Sequence, residues 1–127
     1  GISHHTDAGA LTILLPDEVP GLQVRYCDHW HTIDSGPGSL IVNVGDLVQV
    51  WSNNQHQAPL HRVLANPAKE RFSAAFFLNP TFETLCQPLV AENPCYRPFT
   101  WGEFRGARAA GDYANQGKEI QIANYLL

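Results

Sequence analysis

Along this chain apolar residues fall in short runs, and clusters of proline, glycine, asparagine and aspartate break them at close intervals. Runs of that length bounded by turn formers predict strands. Leu11 to Leu15, Leu22 to Tyr26, Trp30 to Ile33, Leu40 to Val44, Leu60 to Ala65 and Arg71 to Leu78 all read this way. Pro16 to Gly21, Asp34 to Gly38 and the segment around Asn66-Pro67 read as loops. Cys27-Asp28-His29 reads as a turn, Gly45-Asp46 ends the strand before it, and Leu47 to Trp51 is short enough to fit a further strand. After Pro80 the pattern changes. Thr84 to Cys86 reads as a last strand, and a proline-rich loop runs on to Pro98. Thr100 and Glu103 then have capping-box spacing, which predicts a helix from Trp101 to about Ala110 despite Gly102 and Gly106. Many short strands with frequent turns make the expected class all-β, a sandwich or a barrel.

Three short pieces carry candidate chemistry. His5 and Asp7 stand at i and i+2, so on an extended segment they project from one face. A distant histidine, His61, can close a set of two imidazoles and one carboxylate, which leaves open positions on a non-haem Fe(II) ion. Arg71 and Ser73 repeat the i, i+2 spacing, and a guanidinium fork beside a hydroxyl suits a carboxylate. Taken singly, these signals are weak. A chance H-x-D is expected about 0.3 times in this composition. His5 and Asp7 alone fit a solvated loop pair, His61 a hydrogen-bonded core histidine, and Arg71 a surface ion pair. Their order and spacing together are the informative feature.

The remaining polar and aromatic residues read more plainly. His29 and His31 lack a carboxylate to complete a second site, His4 points away from His5 on an extended segment, and His56 sits in a polar loop. Asp46 is expected to shape a turn. Trp51, Phe72, Phe76 and Phe77 are expected in the core, with Phe72 and Phe76 on the face opposite Arg71 and Ser73. The chain has 127 residues, enough for one domain with a real core, and its charge of −4 comes without a basic stripe. Nucleic acid is therefore not an expected partner. No apolar run is long enough to span a membrane. Cys27, Cys86 and Cys95 are an odd set without zinc spacing, so reduced thiols and a cytoplasmic setting are expected, with a Cys86–Cys95 bridge as the alternative.

The run from Ile2 through His5-Thr6-Asp7 to Leu15 resembles the metal-binding segment of the Fe(II)- and 2-oxoglutarate-dependent oxygenases, nearest to their isopenicillin N synthase-like branch. Gly21-Leu22-Gln23-Val24, Trp30, the stretch Val42 to Asn53, Ala58 to Val63 with His61, and Arg71-Phe72-Ser73 continue the likeness over nearly the whole chain. The resemblance implies a double-stranded β-helix, or jelly roll, and a single helical turn as the alternative for Leu47 to Trp51. It implies Fe(II) on His5, Asp7 and His61, with 2-oxoglutarate as co-substrate on Arg71 and Ser73 and ascorbate as a candidate reductant. Oxidative decarboxylation of 2-oxoglutarate by dioxygen would then be coupled to oxidation, usually hydroxylation, of a small organic substrate.

Two rivals remain at this point. Some similar enzymes use the R-x-S motif for a substrate carboxylate and oxidise without 2-oxoglutarate. A non-catalytic jelly roll that binds metal or a partner is the other. Members of the resembling family are also much longer and place helices and strands before the H-x-D motif. Residues 1–127 are therefore expected to be the C-terminal catalytic domain of a larger enzyme. Its N-terminal region, or a homo-oligomer, would cover an open sheet edge.

Overall fold

Short strands that alternate between two sheets set the architecture. The computed structural model describes residues 1–89, 92–114 and 120–127. Among these, β1 (Ile2–His5), β6 (His61–Val63), β3 (Leu22–Tyr26) and β4 (His29–Thr32) form one antiparallel sheet in that order. The second sheet, also antiparallel, is β5 (Ile41–Val44), β2 (Leu11–Pro16) and β7 (Ser73–Leu78). Both sheets line one cavity and so face each other across it, as expected for a jelly roll. The chain turns from β3 into β4 through Cys27 and Asp28, both at positive φ (46° and 63°), which suits the twist of a tight hairpin.

The Leu47 to Trp51 segment resolves as a helix. α1 (Asp46–Trp51) buries Leu47 and Val50 one turn apart and ends where Asn53 and Asn54 take left-handed φ values of 52° and 68°. The capping box also forms. Thr100 Oγ1 accepts from the Glu103 amide at 3.2 Å, and Glu103 Oε2 accepts from the Thr100 amide at 2.7 Å. α2 (Trp101–Ala114) runs four residues beyond the sequence expectation. A short pair of strands, β8 (Leu85–Cys86) and β9 (Phe99–Thr100), and a 3₁₀ turn (Ile122–Tyr125) complete this end.

The apolar core lies at this end and not between the sheets. Leu47, Val50, Cys86, Tyr96, Phe99, Trp101, Phe104 and Tyr125 pack together, with the Phe99, Phe104 and Tyr125 rings 4.3–5.7 Å apart. Each fully buried large side chain here contributes about 1.5–3 kcal/mol. Cys86 is buried and its thiol is pushed up to about 11 by that burial. All three cysteines are unpaired, so the Cys86–Cys95 bridge does not form.

Three expectations are corrected. Phe72, Phe76 and Phe77 do not lie in the core: they are 69, 60 and 53 % exposed. The cause is the position of β7, which among the described residues pairs with β2 alone and is exposed along its whole length. Arg71 lies just before β7 rather than on it, where Asp17 holds Phe72 through both its amide and its carbonyl. Asp46 does more than shape a turn. It is fully buried and paired with Arg108 at 2.9 Å.

Gly45 marks a close approach of main chain to main chain. A Cβ there would stand 2.2 Å from the Gly9 carbonyl oxygen and 2.8 Å from that of Asp7, both main-chain atoms that cannot swing aside. Gly45→Ala should therefore destabilise the fold by about 1–3 kcal/mol, the range for overpacking, read from the denaturant midpoint. An unchanged midpoint would show that the turn at Asp7 to Gly9 is free to yield.

Candidate metal centre and carboxylate anchor

His5 and His61 are direct cross-strand partners at the paired edges of β1 and β6, which brings their rings to 4.3 Å between centroids. Asp7 is not on the strand. The chain leaves β1 at His5, and Asp7 sits in the turn that follows. Its carboxylate nevertheless reaches both rings: Oδ1 is 3.6 Å from His5 Nε2 and 3.5 Å from His61 Nε2. Among the described residues, these three side chains form a His/Asp group whose ligand atoms all lie within 4.8 Å of one another.

The outer hydrogen bonds decide which atoms face inward. Nδ1 of His5 lies 2.8 Å from the Ser3 carbonyl, and Nδ1 of His61 lies 3.0 Å from the Pro59 carbonyl. A carbonyl can only accept, so each Nδ1 carries the proton and each Nε2 presents a lone pair towards Asp7. Two lone pairs aimed at a carboxylate oxygen need a cation or a proton between them. The hydrogen bond to Asp7 accordingly raises the pKa of His5 above its ordinary 6.5, against the opposing effect of burial. Burial alone would raise the pKa of Asp7. Hydrogen bonds from His5, Asn43 and Thr12 outweigh it and hold the carboxyl well below its usual range. An ionised carboxylate and two Nε2 donors fit a divalent ion that keeps open positions.

The other carboxylate oxygen of Asp7, Oδ2, is already occupied. Thr12 Oγ1 donates to it, and Asn43 Nδ2 donates at 2.9 Å. Thr12 and Asn43 face each other across β2 and β5. They leave Oδ1 as the single oxygen free for a metal. The sequence reading assigned neither residue a role, although each is a lone polar residue inside an apolar run.

Arg71 and Ser73 also reach the interior. A cavity of about 150 Å³ runs between the sheets, with His5, Asp7 and His61 in its lining together with Arg71 and Ser73. Much of the rest is apolar, including Leu14, Leu22, Val24 and Ile41. Arg71 Nε donates to the Val19 carbonyl at 3.1 Å, and Nη1 lies 3.5 Å from Ser73 Oγ, which fixes the plane of the fork. Among the described residues Asp7 is the only carboxylate in the cavity lining, so the guanidinium suits an incoming anion. His4, His29, His31 and His56 stand exposed and apart from this group, as expected.

Comparison with known proteins shows the family. The family model of the 2OG-Fe(II) oxygenase superfamily matches residues 1–80. Gibberellin 2-beta-dioxygenase 6 of Oryza sativa subsp. japonica is 38 % identical over 126 residues, covering 99 % of this chain and 35 % of its own length. Jasmonate-induced oxygenase 3 of Arabidopsis thaliana is 50 % identical over 112 residues, covering 83 % of this chain and 31 % of its own. A crystal structure of JOX2 in complex with 2OG, Fe and JA superposes with a TM-score of 0.78 at 46 % identity, over 83 % of this chain and 33 % of that one. The chain belongs to the 2OG-Fe(II) oxygenase superfamily. It spans about a third of the length of the curated relatives it matches.

The support of Asp7 gives a test that spares the ligands themselves. Asn43→Ala removes one of the two donors to Oδ2 and should weaken Mn(II) binding about 10–100-fold, the usual cost of losing a partner behind a ligand. The measurement is a calorimetric Mn(II) titration, with the unfolding midpoint followed in parallel. Unaltered affinity would mean that Thr12 alone orients the carboxylate.

Proposed function

We propose that this chain is the catalytic segment of an Fe(II)- and 2-oxoglutarate-dependent dioxygenase that oxidises a small organic molecule. One observation carries the reading: Nε2 of His5, Nε2 of His61 and Oδ1 of Asp7 converge in a cavity that also holds the Arg71 guanidinium. Fe(II) bound there would supply the open positions at which dioxygen oxidatively decarboxylates 2-oxoglutarate to succinate and carbon dioxide, coupled to hydroxylation of the substrate. The residues of the chain provide the frame. The carbonyls of Ser3 and Pro59 engage Nδ1 of His5 and His61, so each ring turns Nε2 towards the shared site. Arg71 and Ser73 receive the far carboxylate of 2-oxoglutarate, and the apolar walls strengthen that charge pair by excluding water. Three unpaired thiols suit a reducing compartment such as the cytoplasm, and no helix among the described residues is long and apolar enough to cross a membrane.

The test is direct. The protein should bind Mn(II), then 2-oxoglutarate, and with Fe(II) and dioxygen should form succinate. His61→Ala should lower Mn(II) affinity by more than about a hundredfold, beyond what the loss of an outer partner costs. Arg71→Lys should keep the metal and lose about tenfold in 2-oxoglutarate affinity, because the planar fork is gone. Iron-dependent oxidation with no need for 2-oxoglutarate would favour the oxidase reading. Absence of metal binding would favour a non-catalytic domain.

The outer side of the second sheet needs a partner on the same reading. β7 offers an unpaired edge among the described residues, and Phe72, Phe76 and Phe82 stand more than half exposed around it. We propose that another segment of the same enzyme, or failing that a second copy, covers this face. Residues 1–127 alone should therefore self-associate or unfold at low denaturant, seen by light scattering and an unfolding curve. A stable monomer with full substrate oxidation would refute this.

A further inference from the structure

Arg71 stands between two spaces. On one side is the cavity that it shares with His5, Asp7 and His61. On the other is a wider groove of about 510 Å³ between the loops at residues 16–21 and 33–38, and Arg71 belongs to its lining too. Asp17, Glu18 and Asp34 also line that groove. Their charges attract a guanidinium outward, away from the metal. A long side chain with two such places to go needs a restraint to stay in one of them.

The restraint converges on Asp17, the residue that follows β2. Pro16 faces Ser73 in the register of β2 against β7. Asp17 extends the pairing one step further: its amide donates to the Phe72 carbonyl at 3.2 Å, and its Oδ2 accepts from the Phe72 amide. Phe72 lies between Arg71 and Ser73, so holding its two peptide groups holds the backbone from which both anchor side chains leave. Oδ1 of Asp17 accepts from the Val19 amide at 3.0 Å, and the Val19 carbonyl accepts from Arg71 Nε at 3.1 Å. Gly21 leaves room for the same side chain, since a Cβ there would stand 3.2 Å from both Cδ and Nε of Arg71. Both oxygens of Asp17 are thus spent on amides, and among the described residues no ion pair joins it to Arg71. The nearby carboxylate shapes the loop that aims the guanidinium and leaves its fork open to an incoming anion.

We propose that Asp17 is the positioning residue of the co-substrate anchor: through Val19 and Phe72 it keeps Arg71 aimed into the metal cavity and out of the groove. The proposal rests on the reading of Arg71 and Ser73 as the anchor for the far carboxylate of 2-oxoglutarate. Asp17 itself is not in the lining of the metal cavity. Its effect therefore falls on the far carboxylate alone, and the metal and the chelating end of the co-substrate do not feel it.

The experiment uses the complete enzyme loaded with Mn(II), titrated calorimetrically with 2-oxoglutarate and with 2-oxopentanoate. The second acid keeps the chelating 2-oxo carboxylate and carries a methyl group in place of the far carboxylate. Asp17→Ala should weaken 2-oxoglutarate about tenfold and leave 2-oxopentanoate and Mn(II) unchanged. A general loss of structure would weaken both acids. Asp17→Asn keeps one acceptor and should fall between, and the same ratio of the two affinities decides the matter on that variant if Asp17→Ala does not fold. In an Arg71→Gln background, Asp17→Ala should cost nothing further, because a residue that acts through another loses its effect when the other is gone. If Arg71→Gln weakens 2-oxoglutarate and Asp17→Ala does not, or if Asp17→Ala weakens both acids alike or keeps its full effect beside Arg71→Gln, the positioning role is overturned and the anchor stands. If wild type binds the two acids equally, or Arg71→Gln leaves 2-oxoglutarate untouched, the anchor reading fails and this proposal fails with it.

Discussion

The turn that carries Asp7 is held by α1 on one side and by Arg108 on the other, and the site depends on that hold. Its backbone carbonyls accept from the first amides at α1: the amides of Gly45 and Asp46 donate to Ala10 and Asp7 at 2.8 Å each, and that of Leu47 donates to Gly9 at 3.2 Å. Helix amides of this kind have no partner within their own helix. Here they find one in the turn, so closing α1 and fixing Asp7 are the same event. Arg108 ties the arrangement from behind by bridging Thr6 and Asp46. Burial pushes the Asp46 carboxyl above its usual range, with the hydrogen bond from Thr6 and the charge of Arg108 opposing it. A buried pair of this kind adds little net stability, yet loss of one partner costs about 3–5 kcal/mol. It therefore specifies position more than it stabilises.

This arrangement explains where the core lies. A jelly roll ordinarily fills the space between its sheets with apolar side chains. In this chain part of that space is lined by His5, Asp7, His61, Thr12, Asn43, Arg71 and Ser73. Polar groups of that sort are tolerable in the interior only when each is hydrogen-bonded, and the pairs around Asp7 and Arg71 meet that demand. The packing that a filled sandwich would have supplied moves to one end, where α1, α2 and the 3₁₀ turn enclose the aromatic cluster of Phe99, Phe104 and Tyr125. The same end carries Gly45 and Arg108, so the packed part of the molecule braces the hollow part.

What the sequence disclosed follows from range. Strands β2 to β5 were legible because alternation and turn residues are local signals, and Thr100 with Glu103 marked the start of α2 for the same reason. His5, Asp7, His61, Arg71 and Ser73 were legible as a spaced set, and the structure brings all five to one cavity. Their supports were not. Thr12 meets Asn43 only through the register of β2 against β5, and Arg108 meets Asp46 across 62 positions. Neither contact leaves a local trace. Phe72, Phe76 and Phe77 misled in the other direction. Aromatic residues on a strand predict burial, but a sheet edge with no neighbour among the described residues gives them nothing to be buried against.

Charge balance limits what the Arg71 cavity can accept. Among the described residues of its lining, Asp7 is the one carboxylate in the Arg71 cavity and Arg71 the one guanidinium, so these two charges cancel. A divalent ion adds two positive charges, and a dicarboxylate such as 2-oxoglutarate returns the sum to zero, which is the condition under which a low-dielectric interior accepts charge at small cost. A monoanion there would leave one positive charge uncompensated, and a neutral ligand two.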